Sequence, residues 1–340
     1  MEFNFGNDLS MLGRDIGLKI RKEINRMSFE ERVGYSSSIL KGPKTPYVDV
    51  IAEKIALKEL HKFGSSRGIK FGVIIDPLKM DVEYIGAGKS LVYSCIDPVD
   101  GTIKVAGLGN EHSKMRLSND GVWGCAASFT EVTDKPIADL KIKDFKYSAI
   151  VDGNPRIHSI SPDHAYTTVD SNSNILAVEK LERKTRFGNK SDLVKLVTSS
   201  QSDQGNGSLL IDDFPAYDRK TARPNAEEMA DKLRKLFVNR NDGGFFDIGH
   251  IYGTSTEILI QMLAREGIEP QGLARVVIND HYGNTIPAYW IIRGAGGEVT
   301  DFKGIDLGEK LLIDHRQDIL TSANKAIKNK MLKKLESLYP

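Results

Sequence analysis

The chain has 340 residues, 40% hydrophobic and 27% charged, with 47 basic against 46 acidic side chains for a formal net charge of +1. That is enough chain for two domains with sizeable cores, and the near-cancelled charge argues against a nucleic-acid polymer or an anionic membrane as partner. No run approaches the roughly 20 apolar residues of a membrane span, and Met1-Glu2-Phe3-Asn4 lacks the basic-then-apolar pattern of a signal peptide, so a cytoplasmic protein is expected.

In chain order, Leu9, Leu12, Ile16, Ile20, Ile24 and Met27 recur every three or four residues after Asn7 and Asp8, which can cap, and predict a helix with one buried face. A second helix is expected from Val48 to Leu60, with Ile51, Ala52, Ile55 and Ala56 inward. Phe71 to Ile75, Leu91 to Ile96, Val122 to Thr130 and Ile137 to Asp152 read as strands, giving an α+β half with an antiparallel look. Cys95 and Cys125 fall in these apolar stretches, as buried reduced thiols do, and the seven histidines form no metal-binding pair at helical spacing. The chain turns polar from Ser159 to Asn174, which places a domain boundary there and divides the protein into residues 1–165 and 166–340. In the second half, Thr221 to Phe237 predicts a helix, with Glu228 three residues after Asn225. Thr254-Ser255-Thr256-Glu257 reads as a capping box for a helix from Ile258 to Ala264, ended by Gly267. Val276 to Ile278 reads as a strand, Pro287 to Arg293 as a helix and Glu298 to Asp301 as a strand.

The most informative stretch is Asp97-Pro98-Val99-Asp100-Gly101-Thr102, which closes the apolar run Leu91 to Ile96. A strand would fix Asp97, Pro98 would turn the chain, and Asp100 could share a hard cation with Asp97, since Mg²⁺ takes oxygen ligands and few from protein. Gly101 lets backbone approach a ligand closely, and a helix starting near Thr102 would turn its free amides on a phosphate. The same residues also suit a purely local Asx-type turn. Gly86-Ala87-Gly88-Lys89-Ser90 ends like a phosphate-binding loop, but Glu83 stands where its first glycine belongs and a strand follows, so ordinary turns are expected.

With its upstream acid and downstream partners, this string resembles the inositol monophosphatase superfamily, whose hallmark is D-P-[ILV]-D-G-[TS] after a strand and which includes the archaeal-type fructose-1,6-bisphosphatases. Ala295-Gly296-Gly297-Glu298-Val299-Thr300-Asp301 matches the family's A-G-G-x-V-T-D entry, and Asp49 followed by Glu53-Lys54 its Asp and Glu-Lys on the second helix. The resemblance implies an α/β fold of the layered α+β sandwich type: an antiparallel sheet covered by the first two helices, a second sheet with helices on both sides, and the active site between them. It implies two or three Mg²⁺, with Glu83 of Glu83-Tyr84-Ile85-Gly86 and Asp97 sharing the first with the Val99 carbonyl, and Asp97 and Asp100 holding the second with Asn284 or Asp280. Thr102 and Glu83 would orient the attacking water, Asp49 would support Thr102, the amides of Gly101 and Thr102 would grip the phosphate, and Gly253-Thr254-Ser255 would line the sugar side. Tyr84 replaces a usual second acid, Ile103-Lys104 stands where Asn-Phe is common, and Asn284 stands where the family has Asp; an Asn oxygen brings no charge, so the second metal should bind more weakly. The function implied is Mg²⁺-dependent hydrolysis of a small sugar or polyol phosphate, inositol monophosphate or fructose 1,6-bisphosphate, by a homodimer. The alternative is a catalytically weakened relative that binds a sugar or nucleotide phosphate.

Overall fold

The computed structural model describes residues 5–38, 42–76, 81–100, 123–153, 165–171, 174–185, 188–198, 208–212, 228, 232–233, 236, 247–251, 263–264, 272–312 and 316–338. Helix α1 (Phe5–Ile24) buries Leu9, Leu12, Ile16, Ile20 and Ile24, the stripe its spacing predicts. It starts before the expected caps, so Asn7 and Asp8 sit in its first turn. There the Asn7 side chain accepts from the Asp170 amide at 2.8 Å and Asp8 pairs with Arg67 at 3.1 Å. A short α2 (Phe29–Val33), opened by the Ser28/Glu31 capping box, and a hairpin of β1 (Tyr35–Ser38) and β2 (Gly42–Pro46) lead into α3 (Tyr47–Arg67). Ala52 and Ala56 of α3 are buried as expected, but Ile51 and Ile55 are only partly so; Val48, Asp49, Glu53 and Leu60 complete its inward face.

Gly68, at φ 67° where an L side chain is strained, ends α3 with its amide on the Gly64 carbonyl and turns the chain straight into β3 (Ile69–Asp76). The sheet continues with β4 (Asp81–Ile85), β5 (Ser90–Asp100), β6 (Gly124–Phe129), β7 (Tyr147–Asp152), β8 (Ala165–Ser171), β9 (Asn174–Thr185) and β10 (Gly188–Lys195), in the order β10-β9-β8-β7-β6-β5-β3-β4. All neighbours are antiparallel except β3 and β5, which are parallel. Two expectations are corrected here. The strand expected over Ile137 to Asp152 forms only from Tyr147, because Ile137–Asp139 and Ile142–Asp144 are 3₁₀ turns, the first entered from Pro136 and the second held by Asp144 accepting from the Lys141 amide at 2.9 Å. And β5 does not end before Pro98: it runs to Asp100, its register against β6 shifting between Asp97 and Asp100. The expected division at 165/166 falls at the start of β8, and the same sheet continues through β10 to Lys195.

Two-residue strands β11 (Val197–Thr198) and β14 (Leu263–Ala264) pair with each other, so Leu263 and Ala264 are strand where a helix to Ala264 was expected. The second sheet takes β12 (Ser208–Asp212), β13 (Asp247–Ile251), β15 (Gly272–His281), β16 (Glu298–Asp301) and β17 (Arg316–Ser322) in the order β13-β12-β15-β17-β16. Helix α4 (Tyr282–Gly294) follows β15 directly and carries Pro287 inside it, so it begins five residues before the expected Pro287 start. Helix α5 (Lys325–Leu335), capped by Asn324, packs on β17 and β15. Of the helix expected over Thr221 to Phe237, Glu228, Lys232, Leu233 and Leu236 are described and helical; its remainder lies outside the described residues.

Two cores result. One fills the space between α1, α3 and the large sheet (Leu9, Ile16, Val48, Leu60, Phe71, Val92, Phe129), the other lies between the large sheet, α4 and the second sheet (Ile74, Tyr93, Cys95, Ala126, Ile150, Ile291, Leu320). The architecture is an α+β layered fold, as expected, with α1 and α3 covering one sheet and α4 between the two. No described helix is long and apolar enough to cross a membrane.

Candidate functional site

Strand alternation decides which acids can meet, because successive side chains on a strand point to opposite faces. On β5, Tyr93 and Cys95 belong to the core under α4, while Val92 belongs to the core under α1 and α3. Asp97 therefore points to the α4 side, two residues beyond Cys95 and level with Ala126, which is in the same core. Burial, and then the Asp97 charge beside it, push the Cys95 thiol up to about 12. This places the two side chains close together on one face.

The parallel ladder pairs Ile69 with Ser90 and continues in step to Ile74 with Cys95. The paired rungs end there; Asp76 and Asp97 lie two residues further on each strand, and β3 shifts register against β4 between Ile74 and Asp76. On the far side of β3, Asp76 pairs with Asp81. Asp100 closes β5 opposite Gly124, and Gly124 pairs in turn with Asp152, a carboxylate 2% exposed at the end of β7. Helix α3 returns antiparallel along β3 through Gly68, so its first turn, with Asp49 4% exposed, lies toward the sheet end that carries Asp76 and Asp97.

The second sheet sends its contribution to the same face. The C-terminal end of α4 lies on β9, where a Cβ on Gly294 would come 2.6 Å from the Ala177 nitrogen, and the helix also touches β7 and β5. Thirteen residues span about 20 Å of helix, and β9 to β5 is four strand spacings, about 19 Å. The N-terminal turn of α4, with Asn284, thus arrives over β5 on the Asp97 face, and Asp280 at the end of β15 comes immediately before it.

The structure does not bring Glu83 to this place. Glu83 pairs with Val73, which pairs with Ser94 on β5, three residues short of Asp97. An odd offset puts Glu83 on the opposite face, with Val73, and it is exposed there. Its neighbour Tyr84 confirms the alternation: it lies on the α4 side against Tyr93, and Lys70 Nζ sits 4.3 Å over its ring. Asp76, at the end of β3, is an acid that the sequence analysis does not single out. Its signal was an echo in the chain, Ile75-Asp76-Pro77-Leu78 against Ile96-Asp97-Pro98-Val99.

Val99 is buried in β5. Gly101, Thr102, Gly253, Thr254 and Ser255 lie outside the described residues. Asp76, Asp100, Asp280 and Asn284 are placed by backbone alone, and among the residues described no three His, Cys, Asp or Glu side chains are gathered as metal ligands. The glycine-rich turn at Gly86 to Ser90 is a turn, as expected. Gly86 has φ 87°, a Cβ on Gly88 would lie 2.0 Å from the Gly68 carbonyl oxygen, and β5 follows at Ser90. Ala295 to Asp301 has a constructional role. Gly296, at φ 101°, turns α4 into β16, and Asp301 accepts from the Lys303 and Ile305 amides at 2.9 Å and pairs with Lys310 at 3.1 Å. Beside it, Arg293 pairs with Glu298 at 3.0 Å and Tyr289 donates to Asp306 at 2.8 Å.

No family model and no curated protein matches the chain by sequence. Solved structures do match along nearly its whole length. They include the holo form of fructose-1,6-bisphosphatase from Leishmania major (TM-score 0.62, 12% identity, 99% of this chain and 95% of that one). Extragenic suppressor protein suhB from Bartonella henselae matches with TM-score 0.57 and 18% identity over 94% and 95% of the two chains. Inositol monophosphatase from Anabaena matches with TM-score 0.53 and 13% identity over 96% and 94%. At such identities the likeness is one of fold: the chain shares the fold of these fructose-1,6-bisphosphatase, suhB and inositol monophosphatase structures.

Proposed function

We propose that the chain is a phosphatase, a Mg²⁺-dependent phosphomonoester hydrolase acting on a small sugar or polyol phosphate such as an inositol monophosphate or fructose 1,6-bisphosphate, in the cytoplasm. The observation that carries this reading is that parallel strands β3 and β5 run out in acids, Asp76 on one and Asp97 and Asp100 on the other, past their last paired rung Ile74–Cys95, while Asp280 and Asn284 flank the junction of β15 and α4. This donor set, carboxylates with one amide oxygen and neither thiolate nor imidazole, fits a hard divalent cation. Asp76, Asp97 and Asp100 would hold it, with Asp280 or Asn284 and the Val99 carbonyl available to a second. Such ions, when bound, neutralise charge on a transferring phosphoryl group, activate water and assist the leaving alkoxide.

The remaining roles fall to the chain itself. Asp49, buried in the first turn of α3, would orient the Thr102 hydroxyl, and the Gly101 and Thr102 amides would hold the phosphate, as the resemblance implies. Cys95, kept protonated by burial, backs Asp97 without adding charge. The likeness to solved phosphatases supports the reaction class. The test is phosphate release from inositol monophosphates, fructose 1,6-bisphosphate and 3'-phosphoadenosine 5'-phosphate, with and without Mg²⁺, for the wild type and Asp97→Asn. Metal-dependent turnover of one substrate, lost in the variant, supports the reading and names the ester. Tight binding without turnover at any Mg²⁺ concentration supports the second reading, a binding protein weakened at Asn284.

A further inference from the structure

We propose that the outer face of α5, with the turn from Lys303 to Ile305 beside it, is a docking surface for an acidic segment of another protein. Helix α5 carries five lysines and no acid in its eleven residues. Lys333 and Lys334 stand in the last turn, where the helix dipole favours cations. Lys325, however, opens the helix at its positive end, and Lys330 stands three and four residues before Lys333 and Lys334, where like charges repel. Helix stability therefore does not account for the set. Lys328 is answered by Glu298 at 3.1 Å, whereas Lys303, Lys325 and Lys333 are exposed and engaged in no ion pair among the described residues. An apolar spot adjoins them. Gly304, at φ 82°, turns the chain so that Asp301 accepts from the Lys303 and Ile305 amides at 2.9 Å, and a Cβ on Gly304 would come 2.9 Å from Leu332 Cδ1. The turn is thus fixed against α5 and holds Ile305 out, 47% exposed, one residue from its contact with the half-buried Leu332. A surface set in advance loses little freedom on binding.

The chemistry of the face selects the occupant. A lipid surface would need the apolar stripe of α5, and Ile327, Met331 and Leu335 are fully buried in the core. A nucleic acid would be read by arginines or stacked on aromatic rings, and the helix has neither. Carboxylates flanking an aliphatic side chain match both features: the carboxylates meet the lysines, and the aliphatic group seats on Ile305 and Leu332, an apolar centre inside a polar rim. Leu332 is one turn from Lys328 and two from Lys325, so the rim and the centre share one side of the helix. The competing account is a solvated lysine face with Ile305 as one of the apolar side chains that any surface exposes, and it predicts no binding.

The test is the fluorescence anisotropy of a labelled glutamate-rich helical peptide, carrying two leucines one turn apart, titrated with the full chain. Binding should saturate and should weaken as salt is raised, because exposed charges are screened. Lys325→Glu together with Lys333→Glu should weaken it roughly tenfold or more, since two attractions become repulsions, and Ile305→Ser should weaken it several-fold by removing the apolar seat. Lys58→Glu together with Lys62→Glu, the same change of charge at exposed positions on α3, should bind as the wild type does. Circular dichroism confirms that each variant is folded. Absence of binding at about 1 mM chain overturns the proposal. So does a loss of affinity as large in the α3 pair as in the α5 pair, which net charge alone would produce. Tighter binding of an RNA oligonucleotide or of phosphatidylserine vesicles than of the peptide, lost in the α5 pair, overturns it as well, because the face then belongs to another class of partner.

Discussion

Asp76→Asn and Glu83→Gln should have opposite outcomes, and the difference can be worked from the sheet. Glu83 stands two strand spacings, about 9.6 Å, from β5 and three residues, about 10 Å, short of Asp97 along it, so the two α-carbons are about 14 Å apart. A Glu and an Asp sharing one cation reach at most about 12.5 Å between α-carbons, taking about 4.8 and 3.5 Å for the side chains and ~2.1 Å for each Mg–O bond. Glu83 also faces the other side of the sheet. Asp76 and Asp97 each stand two residues past the Ile74–Cys95 rung on neighbouring strands, inside that reach. Removing a carboxylate that holds the metal forfeits part of a contribution of several kcal/mol, and a loss of about 3 kcal/mol in the transition state is roughly a 150-fold fall in rate. Asp76→Asn should therefore lower Mg²⁺-dependent phosphate release by about two orders of magnitude and raise the Mg²⁺ concentration at half-maximal rate. Glu83→Gln should stay within about twofold of wild type, as exposed substitutions away from special features do in stability. The assay is initial phosphate release across a Mg²⁺ titration, with circular dichroism confirming that both variants are folded. A Glu83→Gln loss as large as that of Asp76→Asn would refute the register argument.

Further consequences are open to measurement. In the folded protein neither Cys95 nor Cys125 should react with a thiol reagent at pH 8, and both should react in denaturant, because both are buried and the Cys95 thiol is held protonated. Burial, and then the Tyr84 hydroxyl beside it, push Tyr93 from 10.0 up to about 12. The folded state thus keeps that proton longer than the unfolded chain, and the stability tied to it, complete below pH 10, should fall between pH 10 and about 12; Tyr93→Phe should flatten the alkaline limb of a denaturant series. Phe129→Ala, at a fully buried ring 6.0 Å from that of Phe71, should cost about 3–5 kcal/mol in chemical denaturation. Gly68→Ala, at φ 67° with open space around it, should cost only about 1–2 kcal/mol.

Much of the fold was legible because faces are periodic. The α1 stripe from Leu9 to Ile24 is buried residue for residue, and β16 spans the predicted Glu298 to Asp301, with Val299 buried in the core beside α4. What was misread was short-range competition. Ile137 to Asp144 is apolar enough for a strand, yet the turn that Asp144 closes on the Lys141 amide and the 3₁₀ turn after Pro136 satisfy the backbone locally. Asn7 and Asp8 have capping side chains, but helix α1 starts at Phe5, and those side chains instead tie it to β8 and α3. The large sheet runs on past residue 165 through polar sequence, because polarity marks where a chain is exposed, while membership of a sheet depends on backbone pairing that composition does not record.

The acids at the sheet end show the same limit in its sharpest form. A period of two tells which face of β5 Asp97 occupies, and it would have told the same of Glu83 on β4, but neither strand carries any mark of how far it slides past its neighbour. That offset is set by α3, whose length and left-handed stop at Gly68 deliver β3 at one height, and by the turn from Gly86 to Ser90, where Gly88 fits against the Gly68 carbonyl and starts β5 level with Ile69. Gly68 and Gly88 thus set Asp76 and Asp97 on neighbouring strands from the far end of two eight-residue paths, some 23 Å away. Inserting one residue between Gly86 and Ser90 should move β5 by one rung and turn Asp97 to the α1 side, abolishing Mg²⁺-dependent turnover in a protein that remains folded by circular dichroism. Retained turnover in that variant would show that Asp97 is held at the site by Pro98 and the residues after it, and that the ladder with β3 does not set its place.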